Sequence, residues 1–263
     1  MTLDTRPGAS GAWQDITIID DLLPGDEQAA IHRLLAQGPW QHGWRSHNGA
    51  GAQAFWNRHF AGSQDPARLD GRHDASEELA AREPLLDACW QRIARGYLRD
   101  HALQSCYANG LPYGTDGSVH TDSLAIGACT AVYYPHQHWD PDWGGETILF
   151  NKDRSDILAA VYPKPNRLLV FPGFLYHVAR GVSRACPTMR ITLMFKTQMR
   201  GGSWGRARAS CHHESADEER AERQLQERAA DVFGAGGAST NEPPVDLKSL
   251  HAKIGQLALG NVF

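Results

Sequence analysis

A mainly β fold with flanking helices is what this sequence predicts, on three observations. From Gln104 to Met199, short β-branched and aromatic runs alternate with Gly, Pro and Asp clusters: ACTAVYY, ETILF, ILAAVY, RLLVF and RITLMF. Many short strands with turn punctuation indicate a sandwich or barrel. Ahead of them lie stretches with helical rather than alternating periodicity, so helices precede and brace the β core. A chain of 263 residues with no internal repeat fits one domain with elaborations better than two. The expected core is a double-stranded β-helix, a jelly roll of the cupin-like kind, because its open end can hold ligands between two sheets.

Three segments follow from this reading: 1–102, an N-terminal strand and bracing helices; 103–199, the jelly-roll catalytic core; and 200–263, a loop plus C-terminal helices. Residues 15–20 (DITIID) alternate enough for a strand, and 24–35 read as a helix after the LLPGDE turn. The stretch WQHGWRSHNGAGAQAFWNRHF is aromatic, rich in His and broken by Gly. Within it Trp44, Arg45, Trp56 and Arg58 are candidates for lining a substrate entrance, with core packing the competing reading for the tryptophans. A second helix is expected over 83–101, with Leu86, Cys89, Trp90, Ile93 and Tyr97 at helical spacing.

Beyond Thr197 the character changes. Residues 200–214 are rich in Gly, Arg and Ser and read as a loop, 215–233 as a charged helix, and GAGGASTNEPP as a linker. Asp246 is placed to cap a last helix with Leu247, Leu250, Ile254 and Leu257 on one face. That stripe must bury against the chain's own core, a second copy in a homodimer, or a substrate as a lid.

Composition excludes several functions. A net charge of −4 offers no basic footprint for nucleic acid and no polybasic membrane anchor. The longest apolar stretches fall far short of a bilayer span. The opening MTLDTRPGASGAW lacks a hydrophobic signal region, so a cytoplasmic protein is expected. Five cysteines, odd in number and without CxxC spacing, read as reduced thiols rather than a disulfide framework.

The chemistry-bearing residues lie in the β-rich half. His120 and Asp122 stand two apart, and His177 follows far downstream on the apolar run LLVFPGFLYHVARGV. On a strand, residues two apart project to the same side, so both can reach one ion without strain. Two histidines and one carboxylate hold one face of a non-heme Fe(II) and leave the opposite positions open for a co-substrate and oxygen. Arg190 and Thr192 lie on the strand-like run MRITLMF. A buried guanidinium there would anchor a dicarboxylic acid lying on the metal. An H-x-D pair alone is a weak signal, and its context has to carry the reading. His136, His138, Asp140 and Asp142, in a turn-rich segment, and Cys211-His212-His213, without zinc-ligand spacing, are poor candidates for a second metal. Gly144 and Gly145 suit a tight turn.

That context resembles a known family. In order come YGTDGSVHTD, AVYYPHQHWDPDWGGETILF, VYPKPNRLLVFPGFLYHV and an R-x-T in the last core strand. From about Tyr107 to Lys196 the chain resembles the prolyl 4-hydroxylase-like branch of the Fe(II)/2-oxoglutarate dioxygenases. Its most specific piece is the tyrosine pair leading into Trp139-Asp140 and the GGE turn. The resemblance covers roughly a third of the chain firmly and leaves the C-terminal residues uncovered. It implies His120, Asp122 and His177 as iron ligands, Arg190 as the grip on the distal carboxylate of 2-oxoglutarate, and Tyr134 as the hydroxyl that assists it. Thr192, Tyr107 and Asn109 are further co-substrate contacts by the same resemblance.

Fe(II), 2-oxoglutarate and O2 are therefore the expected cofactor and co-substrates, with succinate and CO2 as by-products. An aspartate at the carboxylate position argues for hydroxylation rather than halogenation, while desaturation and ring formation stay open. The expected substrate is a small molecule, an amino acid or a secondary-metabolite intermediate. A residue within a peptide or protein is the alternative, and a non-catalytic sensor module is the rival from another class. A zinc hydrolase with the same ligands leaves Arg190 and the GGE context unexplained.

Overall fold

The computed structural model describes residues 16–46, 52–63 and 73–200. Ten strands and three α-helices occur among them: β1 (Thr17–Ile19), α1 (Gly25–Ala36), β2 (Gln41–Trp44), β3 (Phe55–Gly62), α2 (Ser76–Arg82), α3 (Pro84–Tyr97), β4 (His101–Leu111), β5 (Ala128–Tyr134), β6 (Thr147–Phe150), β7 (Ile157–Val161), β8 (Arg167–Pro172), β9 (His177–Ala179) and β10 (Arg190–Met199). They form a seven-stranded sheet in the order β1-β8-β5-β10-β4-β3-β2 and a three-stranded sheet in the order β7-β6-β9. Every pairing is antiparallel. This is the jelly-roll core that the strand pattern predicts.

The alternation of side chains divides the large sheet into two environments. Ile191, Leu193 and Phe195 of β10, Ala131 and Tyr133 of β5, and Leu168 and Val170 of β8 pack with Ile31, Leu35, Leu79, Leu86, Trp90 and Ile93 of the helices. The intervening residues Val132, Tyr134, Leu169, Phe171 and Met194 pack instead with Leu149 and Val161 of the small sheet. The helices thus cover one face, and the other face closes over the site.

The helical layer departs from expectation in two places. The helix expected over 83–101 begins at Pro84 and stops at Tyr97, and His101 already belongs to β4. Leu98 leaves the helix at φ −132°, and Tyr97 stands exposed rather than completing the apolar stripe. Just before it, residues 76–82 form α2, which the sequence reading had not placed. The Asp74 carboxylate accepts the Ser76 N–H at 3.0 Å near the start of this helix. Glu83 separates the two helices at φ −141° and ψ 74°, outside helical geometry, which the proline that follows disfavours there.

The aromatic stretch before them is not irregular either. It supplies β2 and β3, which continue the large sheet outward from β4. Cys89, Cys106 and Cys186 form no disulfide. Among the described residues no helix is long and apolar enough to cross a membrane. The expected C-terminal helices, their linker and the homodimer contact lie outside the described residues.

Candidate metal centre

Three chain segments meet at the site. His177 opens β9, and His120 forms an isolated antiparallel bridge with it. The H-x-D pair was expected on a strand; it lies instead outside the regular strands, on a segment tied to β9 by an isolated bridge. The Asp122 and Ser123 N–H groups both donate to Gly173 O, at 2.9 and 3.1 Å.

The ligand-type atoms of His120, Asp122 and His177 lie within 4.8 Å of one another, the one cluster of this kind among the described residues. His120 Nδ1 lies 2.8 Å from Ser118 O and His177 Nδ1 2.9 Å from Leu175 O. A carbonyl can only accept, so both rings carry a proton on Nδ1 and turn Nε2 toward Asp122. The Nε2 atoms stand 3.4 Å from Asp122 Oδ1 and 3.4 Å from Asp122 Oδ2, respectively. Burial pulls the His177 ring down to about 4, against the opposing pull of Asp122, so it is neutral near pH 7. Burial pushes the Asp122 carboxyl up, but Lys196 and then the two histidines outweigh it and hold the group well below the usual carboxylate range. Two imidazoles and one carboxylate, each oriented through a second contact, are a donor set that fits a ferrous ion.

A cavity of about 140 Å³ adjoins these atoms. Its floor is the alternating face of the large sheet: Arg190, Thr192, Met194 and Lys196 from β10, and Ser105, Tyr107, Asn109 and Leu111 from β4. At one end Arg190 is almost wholly buried. Its Nε donates to Gly145 O at 2.6 Å, and its Nη2 to Thr147 Oγ1 at 3.0 Å. Tyr134 donates to the same Thr147 hydroxyl at 2.7 Å, and its ring lies 5.6 Å from the guanidinium carbon. Nη1 has no partner at all. Gly145 is required where Arg190 passes: its φ is +82°, and a Cβ there would stand 3.0 Å from Arg190 Cδ.

The other sequence candidates divide. Thr192, Tyr107 and Asn109 all line the cavity, and Asn109 Oδ1 accepts from Asn57 Nδ2 at 3.0 Å. Trp44 and Arg45 line it as well, with Ser46 and Phe55. Trp56 and Arg58 do not line it. On β3 it is Phe55 and Asn57 that face the site, and period two sends their neighbours to the opposite face. There Trp56 meets His42, while Arg58 donates to Leu34 O at 2.7 Å and pairs with Glu83 at 3.5 Å. The aromatic environment of both residues had no period from which to read this.

Three polar residues of the site were missed. Thr147 joins Arg190 to Tyr134, whereas Thr130 and Lys196 both hold Asp122 Oδ2, the hydroxyl at 2.6 Å and the ammonium in direct contact. Thr130 and Lys196 were within reach of period two, counting back from Tyr134 and forward from Arg190.

Comparison with known proteins agrees with this geometry. The model of the 2OG-Fe(II) oxygenase superfamily matches residues 106–195. No curated protein matches the sequence. Among solved structures, a 2OG-Fe(II) oxygenase family oxidoreductase from Burkholderia pseudomallei is similar in fold, at 14% identity over 70% of this chain and 84% of that one, with a TM-score of 0.52. A prolyl-4-hydroxylase from Pseudomonas putida matches at 22% identity over 71% and 93% of the two chains, TM-score 0.46. A prolyl hydroxylase from Trichoplax adhaerens, in complex with a hypoxia inducible factor peptide fragment, matches at 17% over 70% and 83%, TM-score 0.46. The family match covers the strands that build the site and the His-Asp-His triad fits iron binding, so residues 106–195 form a 2OG-Fe(II) oxygenase domain, of a superfamily that uses Fe(II), 2-oxoglutarate and O2.

Proposed function

We propose that this protein hydroxylates an unactivated C–H bond of a small molecule, an amino acid or a secondary-metabolite intermediate, with release of succinate and CO2. The observation that carries the reading is the unpartnered Nη1 of Arg190, buried at the end of the cavity. A buried guanidinium N–H without an acceptor is costly. The far carboxylate of 2-oxoglutarate supplies that acceptor and brings the charge a buried cation needs. Tyr134 and Thr147 hold the guanidinium in place. Thr192, Tyr107 and Asn109 border the path from Arg190 to the triad, where they would position the rest of the co-substrate.

His120, Asp122 and His177 would hold the ferrous ion. Iron and co-substrate supply, when bound, the oxidising power that cleaves O2 and leaves one oxygen atom in the C–H bond. The chain itself would orient and exclude water: Thr147, His177 and Ala179 of the small sheet line the cavity, and Trp44 and Arg45, which also line it, would form the approach. A cavity of about 140 Å³ suits a compact reacting group beside the co-substrate, and the Arg45 guanidinium in its lining suits a substrate that carries a carboxylate.

The test is 2-oxoglutarate turnover by the full chain with Fe(II) under ¹⁸O₂, across panels of free amino acids and of short peptides. Stimulated succinate formation with labelled hydroxyl in an amino acid supports the reading. Turnover confined to peptides would replace the substrate class, and no consumption with any substrate, iron being bound, would leave a binding module.

A further inference from the structure

The two oxygens of Asp122 are treated unequally. Oδ2 accepts the Thr130 hydroxyl at 2.6 Å and the Lys196 ammonium, and Lys196 also reaches Thr130 Oγ1 at 3.3 Å. Oδ1 receives neither, although each oxygen faces one histidine Nε2 at 3.4 Å, Oδ1 that of His120 and Oδ2 that of His177. The Lys196 and Asp122 side chains are each 8% exposed, so their charges meet with little water between them. Lys196 lies on the same face of β10 as Arg190, at the opposite end of the cavity. Nothing in the proposed reaction uses it. A cation there is also the opposite of what holding a divalent ion calls for, since like charges repel strongly where solvent cannot screen them.

We propose that Lys196 is a positioning residue that engages Asp122 Oδ2, leaves Oδ1 as the metal-facing oxygen, and by its charge keeps the divalent ion weakly held until the dianionic co-substrate binds. Thr130 shares the first task and not the second, because its hydroxyl orients the carboxylate without adding charge. In the metal-free protein Lys196 is the counter-ion of Asp122. An arriving dication must share that carboxylate and also meets the lysine's repulsion. Two negative charges on 2-oxoglutarate offset the cations at both ends of the cavity, Arg190 and Lys196, so the ion and the co-substrate bind cooperatively. The inference rests on the metal reading of the triad.

That division of labour gives the two residues opposite signatures. Co(II), which is stable in air, is titrated into the full chain with and without 2-oxoglutarate, reading affinity and the d–d spectrum. Thr130→Val weakens Co(II) binding about tenfold, the usual cost of losing a hydrogen bond to a metal ligand, and Thr130→Ser restores it. Lys196→Met, and Lys196→Gln as the variant that keeps an N–H donor in place, tighten Co(II) binding about tenfold or more without co-substrate. Both also shrink the further tightening that 2-oxoglutarate produces in the wild type.

If the Lys196 variants leave affinity unchanged, or weaken it in step with Thr130→Val, the residue is merely structural and the proposal is overturned. A wild-type chain that binds no Co(II) would overturn the metal reading and this inference together. A wild type that binds it, with variants that all move in one direction, overturns this inference alone.

Discussion

His120 and His177 exchange both of their backbone hydrogen bonds, His120 N–H to His177 O at 3.1 Å and His177 N–H to His120 O at 2.9 Å. Each ring is then turned by a carbonyl two residues before it in the chain. The pair is set as one unit, so losing either ring removes a ligand while the bridge persists. His177→Ala is expected to abolish Fe(II) binding and turnover while leaving the far-UV circular dichroism unchanged. Wild-type metal affinity in that variant would refute the ligand assignment.

Arg190 should matter for the co-substrate and not for the metal. Arg190→Ala removes a charge-assisted contact and is expected to raise the 2-oxoglutarate KM at least about tenfold with iron still bound. Gly145→Ala should act in the same direction, since its Cβ would press on Arg190 Cδ and its φ of +82° suits only glycine. The check is co-substrate kinetics beside a metal titration. Unchanged 2-oxoglutarate dependence in Arg190→Ala would move the anchor elsewhere.

His136 is a built-in source of acid sensitivity. Its Nε2 accepts the Ile191 N–H at 2.9 Å, next to Arg190. Burial first, then His32 and Arg190, pull it down to about 3. The folded state therefore favours the neutral ring, so this contribution is complete above the ordinary value near 6.5. It is lost as pH falls from there toward 3, by at most about 1.4 kcal/mol per pH unit. His136→Gln should be less stable than wild type at pH 7 but lose less on acidification to pH 4.5. Urea midpoints that fall in parallel for the two proteins would exclude the histidine as the cause.

Core packing between helices and sheet carries much of the stability. Leu86 on α3 and Leu193 on β10 are fully buried in the same cluster. Leu86→Ala and Leu193→Ala are each expected to cost about 2–5 kcal/mol, read from denaturant midpoints. A loss below about 1 kcal/mol at either site would mean that the helical layer is not packed against the sheet as described.

Local pattern carried a large share of this molecule. Alternation in ACTAVYY, RLLVF and RITLMF placed β5, β8 and β10 and separated Tyr133, on the helical face, from Tyr134, on the site face. The aromatic segment resisted because Gly43 and a register shift near it interrupt the period from which a face is read. Trp56 and Arg58 were assigned to the entrance on residue type, and pairing with β4 turned them away from it. The helix over 83–101 was legible in its apolar face and not in its end, because the turn at Leu98 is fixed by the start of β4.

What the sequence by itself determined is the β core, since alternation encodes which side chains share a face, and, through the family resemblance of its motifs, the His120–Asp122–His177 set and the arginine that faces the same cavity. Only the tertiary structure decided which oxygen of Asp122 is engaged, that Thr147 ties Arg190 to Tyr134, and that Arg190 Nη1 is left without a partner. These depend on side chains that meet from strands far apart in the chain, at distances of a few ångströms that no local periodicity specifies.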